Sequence, residues 1–164
     1  MTTIGVTGHM DLTEPTQRLV AEALCEVLAP YRPGGLRGAT CMARGADQVF
    51  AHVVLDLGGE LDVVLPAADY REAIVKDANR AEFDDLVARA ATVTTMPFRT
   101  SSREAYLAAS REVIRRCELL VAVWDGRPAD GSGGTADAVA LAIDAGRPVT
   151  VVWPPGATRT SQLP

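Results

Sequence analysis

The 164 residues carry a net charge of −5, with 48% apolar and 23% charged side chains, enough chain for one sizeable core and an ordinary globular composition. The acidic balance argues against nucleic acid as the main partner, which usually calls for a basic face, and leaves room for a small anion held by backbone amides. Cys25, Cys41 and Cys117 are odd in number and have no CxxC or zinc spacing. They argue against a disulfide framework, and each is expected as a buried free thiol in an apolar element.

Taken in order, the chain alternates strand and helix. Thr2 to Thr7 is a β-prone run ending at Gly8-His9, where glycine permits a sharp turn. Asp11-Leu-Thr13-Glu-Pro15 carries start signals, Thr or Asp as cap and Pro in the first turn, for a helix to about Leu28 with Leu19, Val20, Ala23, Leu24, Val27 and Leu28 on one face. A weak strand over 36–42 leads into Arg44-Gly45-Ala46-Asp47 and a helix to Leu57, stopped by Gly58-Gly59. Leu61 to Leu65 is a third strand. A polar helical stretch over 69–91 with a break near 77–79 precedes a fourth strand over 92–96. Ser101-Ser102-Arg103-Glu104 resembles a capping start for a helix to Cys117.

Leu119 to Val123 is a continuous apolar run, the mark of a strand buried on both faces. A Gly/Pro/Asp/Ser loop follows and closes on Gly133-Gly134-Thr135, where an alanine-rich helix begins and runs to Ala145. A last strand covers 149–153, and 154–164 is expected as a loose tail of one domain spanning 1–164. The pattern predicts an α/β fold: a Rossmann-like three-layer sandwich with a mainly parallel six- or seven-stranded sheet. No apolar run approaches the length needed to cross a bilayer. The first strand shows no charged start or signal core, so a cytoplasmic location is expected.

Strand, glycine loop and helix start together make a phosphate-binding arrangement, with free N–H groups and the positive helix end facing the ligand. Gly133, Gly134 and Thr135 are therefore candidate phosphate contacts, although a flexible loop capped by Thr135 would read the same way. Gly8, His9, Arg44 and Gly45 follow other strands, and the C-terminal edge of such a sheet is where ligands bind. Asp47 is expected to be structural, offsetting the dipole of its helix. Trp124 either closes the core or stacks on a base, and Asp125 either binds ribose hydroxyls or fixes the loop. Tyr70, Arg71, Glu72 and Arg80 form a solvated face or a lid. His9 and His52 stand too far apart, without clustered carboxylates, to make a metal site, and no cofactor is expected.

Met42-Ala-Arg-Gly-Ala-Asp47 with Ala51 resembles the xARGxDxxxA turn of the DNA-processing protein A branch of the SLOG superfamily. Trp124-Asp-Gly126 followed by Gly133-Gly-Thr135 resembles the WDG…GGT segment of its small stand-alone and sensor-like members, and the end of the PGGxGTxxE motif of the LOG ("lysine decarboxylase-like") proteins. The resemblance covers Ile4 to about Trp153 and implies a Rossmann-like fold, nucleotide binding and a homo-oligomer. The alanines between Ala105 and Ala109 are available for a subunit contact. LOG enzymes cleave the N-glycosidic bond of nucleoside monophosphates with a glutamate three residues after the threonine. Here that place is held by Ala138, with Asp137 beside it. Asp137, as general base or merely as dipole compensation, and Arg111, as the arginine before strand five, are the catalytic candidates. The leading expectation is binding of a nucleotide or nucleotide-derived molecule, with sensing as the role it would serve. The alternatives are a LOG-like phosphoribohydrolase and single-stranded DNA binding.

Overall fold

The computed structural model describes residues 1–128 and 134–163. Six strands form one all-parallel sheet: β1 (Thr2–Gly8), β2 (Leu36–Thr40), β3 (Glu60–Leu65), β4 (Thr92–Thr95), β5 (Leu119–Val123) and β6 (Val149–Val152), in the order β4-β3-β2-β1-β5-β6. The helices are α1 (Glu14–Leu28), α2 (Ala46–Asp56), α3 (Tyr70–Ala73), α4 (Asp77–Ala88), α5 (Arg103–Arg116) and α6 (Thr135–Asp144). The chain folds as a three-layer α/β sandwich of the Rossmann type.

Neighbouring apolar residues of one strand feed opposite layers, as pleating requires. Val63 and Val121 join α1, α2 and α4 through Val20, Leu24, Phe50, Val54, Phe83 and Leu86. Val64 and Leu120 join α5 and α6 through Ala109, Val113, Ile114 and Ala142. This explains why β5 reads as an unbroken apolar run and why β3 ends in one, Val63-Val64-Leu65. Ala105 and Ala109, expected at a subunit contact, are fully buried inside this chain.

The helix starts follow local chemistry. The Thr13 hydroxyl accepts the Thr16 N–H at 3.3 Å, and the Ser102 hydroxyl accepts the Ala105 N–H at 3.1 Å. The helical break falls over 74–76, just ahead of its expected place, and β2 ends at Thr40 rather than Met42. Cys25 is exposed on α1, Cys41 half-buried and Cys117 buried, so only Cys117 matches the expectation for all three. Sequence period alone did not place Cys25 on the outer face, although the buried positions of α1 are Thr16, Val20, Leu24 and Leu28.

The segment after Pro154 is not loose. It lies against the loop between β1 and α1, with Leu12 and Arg159 forming an antiparallel bridge. The Thr13 N–H donates to the Thr158 carbonyl at 3.2 Å, and the Thr158 N–H donates to the Thr16 hydroxyl at 2.8 Å. These bonds give the tail backbone a partner across more than 140 residues of sequence, which local pattern does not reveal. No helix among the described residues is long and apolar enough to cross a membrane.

Candidate functional site

The strand order reverses direction between β1 and β5, because the chain moves outward through β2, β3 and β4 and returns to the other side of β1. Two successive loops therefore diverge above the C-terminal ends of β1 and β5, and a crevice opens there. The structure has a cleft of about 730 Å³ at this place. Gly8, His9, Trp124 and Arg127 line it from the strand ends, Arg103, Tyr106 and Ser110 from α5, and Gly134, Thr135 and Ala136 from the start of α6.

Gly134 opens α6 with φ 125° and ψ −168°, a backbone region essentially restricted to glycine. A β-carbon there would meet nothing within 4 Å. The N-cap residue Gly134 brings no capping side chain of its own, and the start of α6 turns its backbone and the positive end of its dipole toward the cleft. Gly8 is glycine for another reason. A β-carbon would stand 2.5 Å from Ala46 Cβ and 2.8 Å from Val123 Cβ, so packing of α2 on the sheet demands it.

The second turn differs from expectation. Gly45 does not line the cleft; it borders a separate pocket of about 170 Å³. Its φ of +82° lets the chain pass the His9-Met10 backbone, and the Ala46 N–H donates to the His9 carbonyl at 3.1 Å. What the turn sends into the cleft is Arg44 and Asp47. Asp47 is 6% exposed. One of its oxygens accepts the Ala43 N–H at 3.3 Å, and the Cys41 N–H and Thr40 hydroxyl also hold it. Burial pushes its carboxyl up to about 7 against those bonds. Burial, with the Asp47 charge beside it, likewise pushes the Cys41 thiol up, which leaves it a poor nucleophile.

His9 and Asp125 make a fixed corner. The Asp125 N–H donates to His9 Nε2 at 3.1 Å, and His9 stands edge-on to Trp153 with ring centroids 5.5 Å apart. Burial and then Arg159 lower the His9 pKa, so the ring is neutral at pH 7 and Nε2 accepts. The Asp125 carboxylate, 4% exposed, accepts from the Arg127 N–H at 3.0 Å, the Arg159 guanidinium at 3.4 Å and the Gln162 amide at 3.2 Å. Burial alone would raise Asp125, but the Arg127 amide, His9 and Arg159 hold it below the ordinary carboxylate range. Asp125 thus fixes the loop, and Trp124 does so too by donating its indole N–H to the Arg127 carbonyl at 2.9 Å. Trp124 still lines the cleft.

Of the catalytic candidates, neither reaches the cleft: Arg111 is exposed on α5, and Asp137 is absent from the lining. Gly133 lies outside the described residues. Arg71 turns away to Asp84 at 2.6 Å and to Glu72, and Arg80 pairs with Asp77 at 2.8 Å, so of that segment only Tyr70 lines the cleft together with Ile74. His52 is on the surface, 2.9 Å from Glu82.

Sequence reasoning missed Arg103, Tyr106, Arg127 and Arg159 as cleft residues. Arg103 and Tyr106 are three residues apart on α5 and so share a face; that spacing was readable once α5 was known to cross over the β1 and β5 ends. Arg159 pairs with Asp11 at 2.9 Å across the strap. Arg44, Arg103 and Arg127 have no carboxylate partner among the described residues. Three guanidinium groups with no carboxylate partner among the described residues, in a cleft that also receives a helix N-terminus, make it anion-attracting despite the acidic chain.

No protein-family model and no curated protein sequence matches the chain. Solved structures do share its fold. DNA processing protein A from Streptococcus pneumoniae is 16% identical over 94% of this chain and 51% of its own, with a TM-score of 0.69, so the present chain spans about half its length. The Helicobacter pylori protein of that name, described for its single-stranded DNA binding, is 16% identical over 98% and 69%, TM-score 0.67. A molybdenum cofactor binding protein from Rippkaea orientalis is 18% identical over 92% and 75%, TM-score 0.58. The chain therefore shares the fold of these proteins.

Proposed function

We propose that the cleft binds a nucleotide or nucleotide-derived small molecule, its phosphate on the amides of Gly134, Thr135 and Ala136 and on Arg127. One observation carries this reading: three arginines with no carboxylate partner among the described residues line a cleft that also receives the glycine-led start of α6. Trp124, Tyr70 and Tyr106 supply the aromatic surface a flat heterocycle needs. Arg44 and Arg103 would meet further anionic or ribose oxygens, and His9 offers a neutral ring at the centre. The fold likeness to a molybdenum cofactor binding protein supports a small-molecule role as a class.

Calorimetric titration with AMP, cyclic nucleotides, NAD and ADP-ribose tests the reading. It expects binding of at least one and loss of that binding in Arg127→Ala; no heat from any of them at millimolar concentration refutes it. The phosphoribohydrolase alternative gains nothing from the site. Among the described residues the cleft carboxylates are Asp11, tied to Arg159 and Ser161, and Asp47, tied to its own loop. Base release from AMP that disappears in Asp137→Ala would restore it.

A second reading has the same three arginines taking phosphodiesters, as the fold likeness to a single-stranded DNA binding protein invites. The net charge of −5 opposes an extended backbone. A gel shift at low salt that is lost in Arg103→Ala would favour it over the small-molecule reading.

A further inference from the structure

The cleft has two chemically different ends. Gly134, Thr135 and Arg127 follow β5 in the chain, whereas Asp47 follows β2 and lies near enough to act on the Tyr70 phenol, against which Tyr106 packs. β1 lies between β5 and β2, and two strand spacings are about 10 Å. That separation matches the reach from the phosphate to the base of a mononucleotide.

Tyr106 is 38% exposed and stands edge-on to Tyr70, with ring centroids 6.4 Å apart. Its ring is therefore buttressed by Tyr70 while remaining open to stacking. Asp47 has no cationic partner among the described residues, although it is 6% exposed. A buried carboxylate without a countercharge is costly. An ionised carboxylate only accepts hydrogen bonds and has about four lone-pair positions. The Ala43 and Cys41 amides and the Thr40 hydroxyl are three donors on it, which leaves capacity for a donor arriving from the cleft.

Resting on the nucleotide reading above, we propose that Asp47 is a specificity-determining residue that selects a base by its N–H donors, guanine before adenine, while Tyr106 stacks on the ring. Guanine presents N1–H and its 2-amino group side by side. Adenine presents the N1 lone pair beside its amino group, and that lone pair faces an acceptor-only carboxylate unfavourably. Hypoxanthine keeps N1–H and lacks the 2-amino group, so it falls between. The discrimination works as much through repulsion of the wrong edge as through attraction of the right one.

The test is calorimetric titration of the whole chain at pH 8 with ribose 5-phosphate, AMP, IMP and GMP. GMP should bind at least about tenfold more tightly than AMP, with IMP between them. Asp47→Asn should bring GMP and AMP to within about threefold while leaving ribose 5-phosphate unchanged. Tyr106→Ala should weaken every nucleotide and spare ribose 5-phosphate. The wild-type ratio of GMP to AMP is decisive on its own, whether or not the Asp47 variant folds: equal affinities overturn the proposal. An Asp47→Asn variant that weakens ribose 5-phosphate as much as GMP overturns it too, since Asp47 then only shapes the loop. If ribose 5-phosphate binds and the base adds nothing, this inference alone fails. If none of the four binds, the anion site fails and this inference with it.

Discussion

Arg159 joins two carboxylates that lie far apart in sequence, Asp11 at 2.9 Å and the buried Asp125 at 3.4 Å. Removing it leaves Asp125 with only the Arg127 amide, the Gln162 amide and a neutral His9. A hydrogen bond to a charged group contributes about 1.5–3 kcal/mol, so Arg159→Ala should lower stability to denaturant by that order, read as a shift in the urea midpoint. Asp47 makes a pH prediction. Its folded pKa, raised by burial to about 7, lies above its unfolded value near 3.8, so the native state holds a proton that the unfolded state has released. Its contribution to stability is complete below the unfolded value and is lost as pH rises toward the folded one. His9 has the opposite sign, because burial and Arg159 lower its pKa and its contribution is lost as pH falls. Thermal melts from pH 5 to 7.5 should therefore show less loss of stability with rising pH in Asp47→Asn than in the wild type. An unchanged pH slope would refute the buried titration.

At the scale of elements, the start of α6 and the approach of α2 place opposite demands on glycine. Gly8→Ala drives a methyl group to 2.5 Å from Ala46 and 2.8 Å from Val123, an overpacking that costs about 1–3 kcal/mol and should appear as a lowered melting temperature. Gly134→Ala meets no atoms, but it puts a β-carbon on a backbone that only glycine adopts readily, a strain of about 1–3 kcal/mol. It should weaken ligand binding by reshaping the helix start. The strands and most helices were legible because burial on both faces leaves long apolar runs, as in Leu119 to Val123, and because Thr13 and Ser102 cap where capping residues should. The strap was not legible, since its bonds join Thr158 to Thr16 and Arg159 to Asp11 with no local pattern. Gly45 was assigned to the ligand because a glycine before a helix looks alike from sequence whether an anion or a neighbouring backbone lies against it. Here the neighbour is His9-Met10.

The whole molecule reconciles an acidic surface with an anion-attracting cleft. A net charge of −5 is spread over the surface, where many carboxylates are matched by arginines, as in Arg71 with Asp84 and Arg116 with Asp62. Among the described residues several arginines have no carboxylate partner, and three of them, Arg44, Arg103 and Arg127, line the crevice at the strand reversal. Part of this site was readable: the α6 start, Arg44 and Trp124 came from motif and spacing. Arg103 and Tyr106 were not, because only the crossover of α5 brings them above β1 and β5. Everything proposed for the cleft requires phosphate to be held at the α6 start by backbone amides and Arg127. The most direct measurement of this is calorimetric titration of AMP and GMP into the wild type and Arg127→Ala, with melting temperatures taken in parallel. The account predicts saturable binding to the wild type and at least about tenfold weaker binding to the variant, with the melting temperature unchanged. Equal affinity in the two proteins, or no binding to the wild type at millimolar nucleotide, would contradict it.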